Sequence, residues 1–212
     1  MFFATSEVPA PAPSSAPPVP RAPRVVALAA LATLALLALD VGSKLWAEHA
    51  LSEGRLGAAP ALCDDAQGPR QPQRLSRAPM PVWDHVVTLD YAENCSAAMG
   101  LARQLPAPSR RYVLAGLAAL AALALFVALA RGHGSRAFAW GVPFVAAGAL
   151  GNMVDRLRVG YVVDFLHVQY APWSFDYPVF NVADVLIAIG VALLVVGASR
   201  APAPDVQGDA LS

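Results

Sequence analysis

A carboxylate inside an apolar run needs a reason to be there, and this chain has two such residues. Asp164 lies in YVVDFLHV, and Asp184 sits one turn into the apolar segment that FNVAD opens. If both approached one water, like-charge repulsion and desolvation would keep one protonated while the other stayed ionised. An aspartyl hydrolase needs that division of labour. One carboxylate takes a proton from water, and the other protonates the scissile carbonyl or its leaving amine. The same residue types also suit a polar network without catalysis, and spacing alone leaves both readings open.

Three further polar clusters accompany these two. Asp40 and Lys44 of DVGSK are spaced i,i+4, so they share a helical face and can pair, as an ordinary helix-end salt bridge or as part of a site. Asn94 begins a small-residue segment, NCSAAMG, and Asn152, Asp155 and Arg156 belong to GNMVDR. Asn152 with Asp155, and Asn181 with Asp184, are spaced i,i+3, which puts an amide and a carboxylate on one helical face. Asn181 also has the character of an N-cap. Arg156 could anchor Asp155 or meet backbone carbonyls of a bound chain. A Ser–Lys pair built on Ser43 and Lys44 is disfavoured, because adjacent helical residues point about 100° apart.

The elements that must position these residues are membrane helices. Of 212 residues, 57% are hydrophobic and 14% charged, against roughly 45–50% and 25% in soluble domains. The mean hydropathy is +0.49. Arg24–Trp46, Tyr112–Ala130, Ala137 to about Asn152, and about Asn181 to Ser199 form four candidate spans, near the ~20 apolar residues that a crossing takes. Fifteen basic residues balance fifteen acidic ones, which gives no footprint for nucleic acid. Four scattered histidines without HExxH argue against a zinc hydrolase, and no metal or cofactor is implied.

Residues 1–23 hold seven prolines and read as a disordered tail rather than a signal peptide, and 201–212 read as a second tail. Between them, 24–200 read as one four-helix membrane domain. Arg21, Arg24, Arg131, Arg136 and Arg200 fall on one side, which predicts both termini in the cytoplasm. Arg110 and Arg111 fall on the other side and run against that bias. The long first loop reads as an irregular insertion over Ser52–Pro81, followed by a strand over Val82–Tyr91. Cys63 and Cys95 share this loop, where a bridge or two free thiols are both open.

Together these blocks resemble the lipoprotein signal peptidase family, also called signal peptidase II. DVGSK, GNMVDRLRVGYVVDF and FNVAD carry the likeness, from Asp40 to about Gly190. The resemblance implies an all-α integral membrane protein of the bacterial inner membrane. It would have four spans, a small extracytoplasmic β-rich element, and an active site near the extracytoplasmic face. It implies an aspartyl endopeptidase that cuts diacylglyceryl-modified prolipoproteins just before the lipidated cysteine, as a monomer among membrane lipids. Asp164 and Asp184 would be the catalytic dyad. Asp40, Lys44, Asn94, Asn152, Asp155, Arg156 and Asn181 would support it or contact substrate. NCSAAMG departs from the family's third block, with Ser96 for a glycine and Met99 for a phenylalanine, which bears on substrate range. The alternative is a non-catalytic four-helix scaffold or accessory paralogue, which should lack one aspartate; both are present.

Overall fold

The computed structural model describes residues 20–55, 74–84, 86–95 and 107–199. Four helices and two antiparallel sheets make up this part of the chain. The helices are α1 (Pro23–Ala50), α2 (Ala107–Ala130), α3 (Arg136–Arg158) and α4 (Val182–Ser199). The first three are long and apolar enough to cross a membrane, and α4 is apolar but shorter. Leucines 28, 31, 34, 117, 120 and 123 of α1 and α2 point outward and lie exposed on the bundle. Such a surface is stable only against hydrocarbon, and the protein is an integral membrane protein.

α3 packs against all three other helices. Its contact with α4 is close because Gly148 has no side chain: a Cβ there would stand 2.5 Å from the Ala183 carbonyl oxygen. Small residues allow such backbone approach where lipid offers no hydrophobic drive between helices.

The chain continues from α1 into a two-stranded ribbon, β1 (Ser52–Arg55) with β2 (Arg74–Ser76). The ends of the segment read as an irregular insertion are therefore paired, and residues 56–73 lie outside the described residues. The larger sheet has four antiparallel strands in the order β3 (Met80–Trp83), β4 (Val87–Asn94), β5 (Val162–Tyr170) and β6 (Phe175–Phe180). Where one strand was predicted over 82–91 there is a hairpin. Asp84 adopts φ +36° and Val86 N–H bonds the Trp83 carbonyl at 2.7 Å. Asp tolerates this left-handed turn conformation, which propensity of the flanking residues does not reveal. Pro81 is accommodated because β3 is an edge strand.

The sheet rests on the end of α1. Ala47 and Leu51 pack with Tyr91, Tyr161, Val163 and Phe165 in one buried cluster, and the Tyr91 and Tyr161 hydroxyls meet at 3.1 Å. α3 runs six residues beyond the predicted end at Asn152. Its last turns carry Asn152, Asp155 and Arg156 on the face turned inward, so an apolarity criterion stops short of them. Gly160, at φ +90°, ends the helix: its N–H reaches the carbonyls of Asp155 and Arg156. That turn folds the chain back so that β5 passes beside the end of α3.

Candidate active site

The C-terminal ends of α1 and α3, the N-terminal end of α4, and strands β4 and β5 meet in one polar cluster. Lys44 is its hub and is fully buried. Its ammonium faces Asp40 Oδ2 at 2.8 Å, as an ion pair rather than an aligned hydrogen bond. It donates to Asn152 Oδ1 at 2.8 Å and lies 3.5 Å from Asp155. Asp40 in turn accepts the Ala183 backbone N–H at 2.7 Å, an orphan donor of the first turn of α4. One i,i+4 pair thus ties α1 to both α3 and α4. Gly151 makes room for it, since any side-chain carbon there would collide with the Asp40 carboxylate.

Asp155 is sealed. It accepts the Val163 N–H at 3.0 Å, which holds β5 to α3, and it pairs with Arg158 at 3.0 Å. Arg158 also grips Glu48 through two hydrogen bonds of 2.7 and 2.8 Å. Of the two roles open to Arg156, direct anchoring of Asp155 is performed by Arg158 and Lys44. Arg156 donates to the Asn152 carbonyl at 3.2 Å, and its charge acts on Asp164, Asp184 and Asp155. Arg158 and Glu48 are absent from the sequence-based set. A signal existed for Glu48, which continues the i,i+4 ladder Asp40, Lys44, Glu48. Nothing in its spacing singles out Arg158 over Arg156.

The two singled-out aspartates come together through Asn181. Its backbone N–H donates to Asp184 Oδ2 at 3.1 Å, and Asp184 N–H donates to Asn181 Oδ1 at 3.1 Å. This is a reciprocal helix cap with a carboxylate at the third position, and it fixes the Asp184 side chain at the positive end of the α4 dipole. The Asn181 amide then donates to Asp164 Oδ1 at 2.5 Å. Asn152 donates to Asp184 Oδ1 at 3.2 Å, and Asn94 donates to Asp164 Oδ2 at 2.8 Å. The capping role and the site role of Asn181 were alternatives on sequence alone, and one side chain fills both. Ser43 takes no part, its hydroxyl being spent on the Asp40 carbonyl at 2.8 Å.

Asp164 is 2% exposed. Burial pushes its carboxyl up to about 7; the Asn94 amide opposes the rise, the Asp184 charge adds to it, and Asn181 and Lys44 oppose it. Such a group exchanges a proton near neutral pH, as acid–base catalysis requires. Asp184 opens onto an apolar cavity of about 320 Å³, walled by Val168, Phe175, Tyr177, Phe180 and Val185. Arg110 and Arg111 start α2 at this same end and share a narrow crevice with Asn94 and Arg156. Arg110 is buried. Their place on the side opposite the other arginines therefore has a local explanation. Cys95, at the end of β4, is disulfide-bonded, and Cys63, the chain's other cysteine, lies outside the described residues, as do Ser96 and Met99.

The family described as Signal peptidase (SPase) II matches residues 32–200, and so takes in every residue of this cluster. The chain belongs to the signal peptidase II family. Relatives named lipoprotein signal peptidase include one from Anaeromyxobacter sp. (strain Fw109-5), 35% identical over 145 residues, covering 64% of this chain and 67% of the relative. Another, from Methylorubrum extorquens (strain PA1), is 38% identical over 144 residues, covering 66% and 77%. A solved structure described as a bacterial membrane enzyme superposes with a TM-score of 0.58 at 20% identity, covering 85% of this chain and 95% of its own. That likeness shows a shared fold. Membership of signal peptidase II makes the protein a membrane protease.

Proposed function

We propose that the protein removes the signal peptide from diacylglyceryl-modified prolipoproteins by aspartyl hydrolysis, cutting before the lipidated cysteine. The Asn181 clasp carries this reading: one residue bonds both Asp164 and Asp184 and holds them toward a common point. Desolvation pushes the buried Asp164 carboxyl up to about 7 beside a second aspartate, which favours acid–base chemistry over a non-catalytic scaffold.

In this mechanism Asp184 is the base and takes a proton from a water held between the carboxylates. Asp164, protonated, hydrogen-bonds the scissile carbonyl and gives up its proton as the tetrahedral intermediate forms. The water oxygen bonds the carbonyl carbon in that step; on collapse the C–N bond breaks, Asp184 gives its proton to the leaving amine, and Asp164 takes a proton back from the diol. The Asn94 amide N–H donates to Asp164 and supports the ionised form left while the intermediate lasts. Arg156, Arg110 and Arg111 stand where substrate carbonyls would enter. The apolar cavity beside Asp184 suits an acyl chain or the apolar signal segment.

The four helices are read as four spans. The ends that bear the cluster are the C-termini of α1 and α3 and the N-termini of α2 and α4, so an alternating path puts them on one face. Arg21, Arg24, Arg131, Arg136 and Arg200 mark the opposite, cytoplasmic face, with both termini. The site then lies at the extracytoplasmic edge of the inner membrane, where a lipidated substrate presents its scissile bond to a monomeric enzyme.

The test is cleavage of a diacylglyceryl-modified precursor, read by mass spectrometry. Asp164→Asn and Asp184→Asn should each reduce turnover by at least about 10²–10⁴-fold while the thermal transition is retained. Near-normal turnover in either variant would show that the dyad is misassigned.

A further inference from the structure

At the end of the bundle remote from the dyad, residues of α1 and α3 line an apolar cavity of about 270 Å³. Ala29, Ala32 and Ala139 line it, Trp140 stands beside them, and Arg21 and Arg136 border it where the two helices begin. From Val25, which also lines it, to Asp40 is about 22 Å along α1 at ~1.5 Å per residue, so it is not an extension of the catalytic cleft.

From Pro20 to Leu39 and from Arg110 to Val154 the sequence contains no Asp or Glu. Among the described residues neither Arg21 nor Arg136 forms an ion pair. Arg21 is nonetheless held in place: its guanidinium donates to the Gly134 carbonyl at 2.6 Å and to the Ser135 carbonyl at 3.2 Å. Its Nε is shielded and has no hydrogen-bond acceptor among the described residues. A buried donor of this kind is costly unless an acceptor is supplied. Trp140 is 68% exposed on the same surface, the usual setting of an indole at the headgroup level.

We propose that this cavity is a binding site for one anionic phospholipid. Its phosphate would rest on Arg21 and Arg136, and an acyl chain would fill the space over Ala29, Ala32 and Ala139 beside Trp140. Positive charge above an apolar, membrane-facing cavity matches a lipid with a net negative headgroup. A free anion would leave the apolar part unfilled, and a zwitterionic lipid would leave the arginine charge uncompensated. The site is independent of the proposed proteolysis, and its test does not depend on substrate.

The experiment is native mass spectrometry of the full chain in micelles offered equal amounts of phosphatidylglycerol and phosphatidylcholine with identical acyl chains. The glycerol lipid should be retained preferentially, by roughly fivefold per arginine engaged. Arg136→Gln should cut that preference by a similar factor, and Ala32→Leu should reduce retention of the bound lipid by occupying its chain's space. Both variants should keep the parent's thermal transition, which serves as the folding check. Equal retention of the two lipids, or a preference indifferent to Arg136→Gln, would overturn the proposal. So would displacement of the lipid by inorganic phosphate alone, which would make this a simple anion site.

Discussion

Replacing Asn94 with alanine separates the acid from the base. The Asn94 amide donates to Asp164 Oδ2 at 2.8 Å and holds that carboxyl below the value burial alone would give. The hydrogen bond stabilises the charged form, so removing it favours the protonated form and the pKa must rise. A hydrogen bond to a charged group contributes about 1.5–3 kcal/mol. At 1.36 kcal/mol per unit, that corresponds to a rise of about one to two units. The carboxyl would then titrate at about 8–9 rather than about 7.

The consequence for activity has a definite sign. If Asp164 must be protonated to act as the acid, cleavage falls as pH rises through its pKa, and this alkaline limb moves upward in Asn94→Ala. The assay is kcat/KM for a lipidated precursor in mixed micelles from acid to alkaline pH, which reports groups of the free enzyme. The level of activity can fall without harm to the reasoning, because the position of the limb is the quantity read. An alkaline limb that stays put or moves downward refutes it, and an upward shift of the acidic limb instead would exchange the two roles. Infrared titration of the protonated carboxyl offers an independent check. In Asp184→Asn the Asp164 band should titrate at lower pH than in the parent, since a neighbouring negative charge has been removed.

Lys44→Met should destabilise the fold by about 3–5 kcal/mol, because it leaves Asp40 buried without its cation and Asp155 with Arg158 alone; thermal or denaturant unfolding measures it, and a loss under about 1 kcal/mol would contradict the hub role. Reporter fusions at Gly134 and at the C-terminus should read cytoplasmic and one at Gln71 extracytoplasmic, and an extracytoplasmic Gly134 would sink the four-span reading. Ser96→Gly combined with Met99→Phe should shift cleavage preference across a panel of precursor variants while changing the chemical step less; an identical profile would reduce these positions to packing.

Much of the site was legible because membrane burial makes polar residues conspicuous. Asp40, Lys44, Asn152, Asp155, Asn181 and Asp184 all stand out against apolar neighbours, and all of them meet. The strands were less legible. β5 is buried on both faces around Asp164, so VVDF shows none of the alternation that marks a half-exposed strand. Its identity as a strand depends on pairing with β4, some seventy residues earlier, which periodicity does not report. The end of α3 was hidden for the opposite reason, since Asn152, Asp155 and Arg156 put polar groups on its inward face. Arg158 and Arg156 could not be told apart because both follow Asp155 closely, and only the return of Glu48 from α1 decides which one makes the pair.

The readings that competed at each cluster turn out to be two descriptions of one requirement. A charged group at membrane depth is tolerated only when every partner is supplied. Asp40 and Lys44 satisfy each other, yet each has hydrogen-bonding capacity left over, and they use it on Ala183 and Asn152. Asn152 then passes the constraint to Asp184, and Asn181 passes it to both aspartates. Asp155 does the same for β5 through the Val163 N–H, one residue before Asp164. Closing the network for stability therefore fixes the backbone on either side of the dyad. Asp164 and Asp184 end this chain of contacts. Asp184 is the one that opens onto the apolar cavity, whereas Asp164 is 2% exposed.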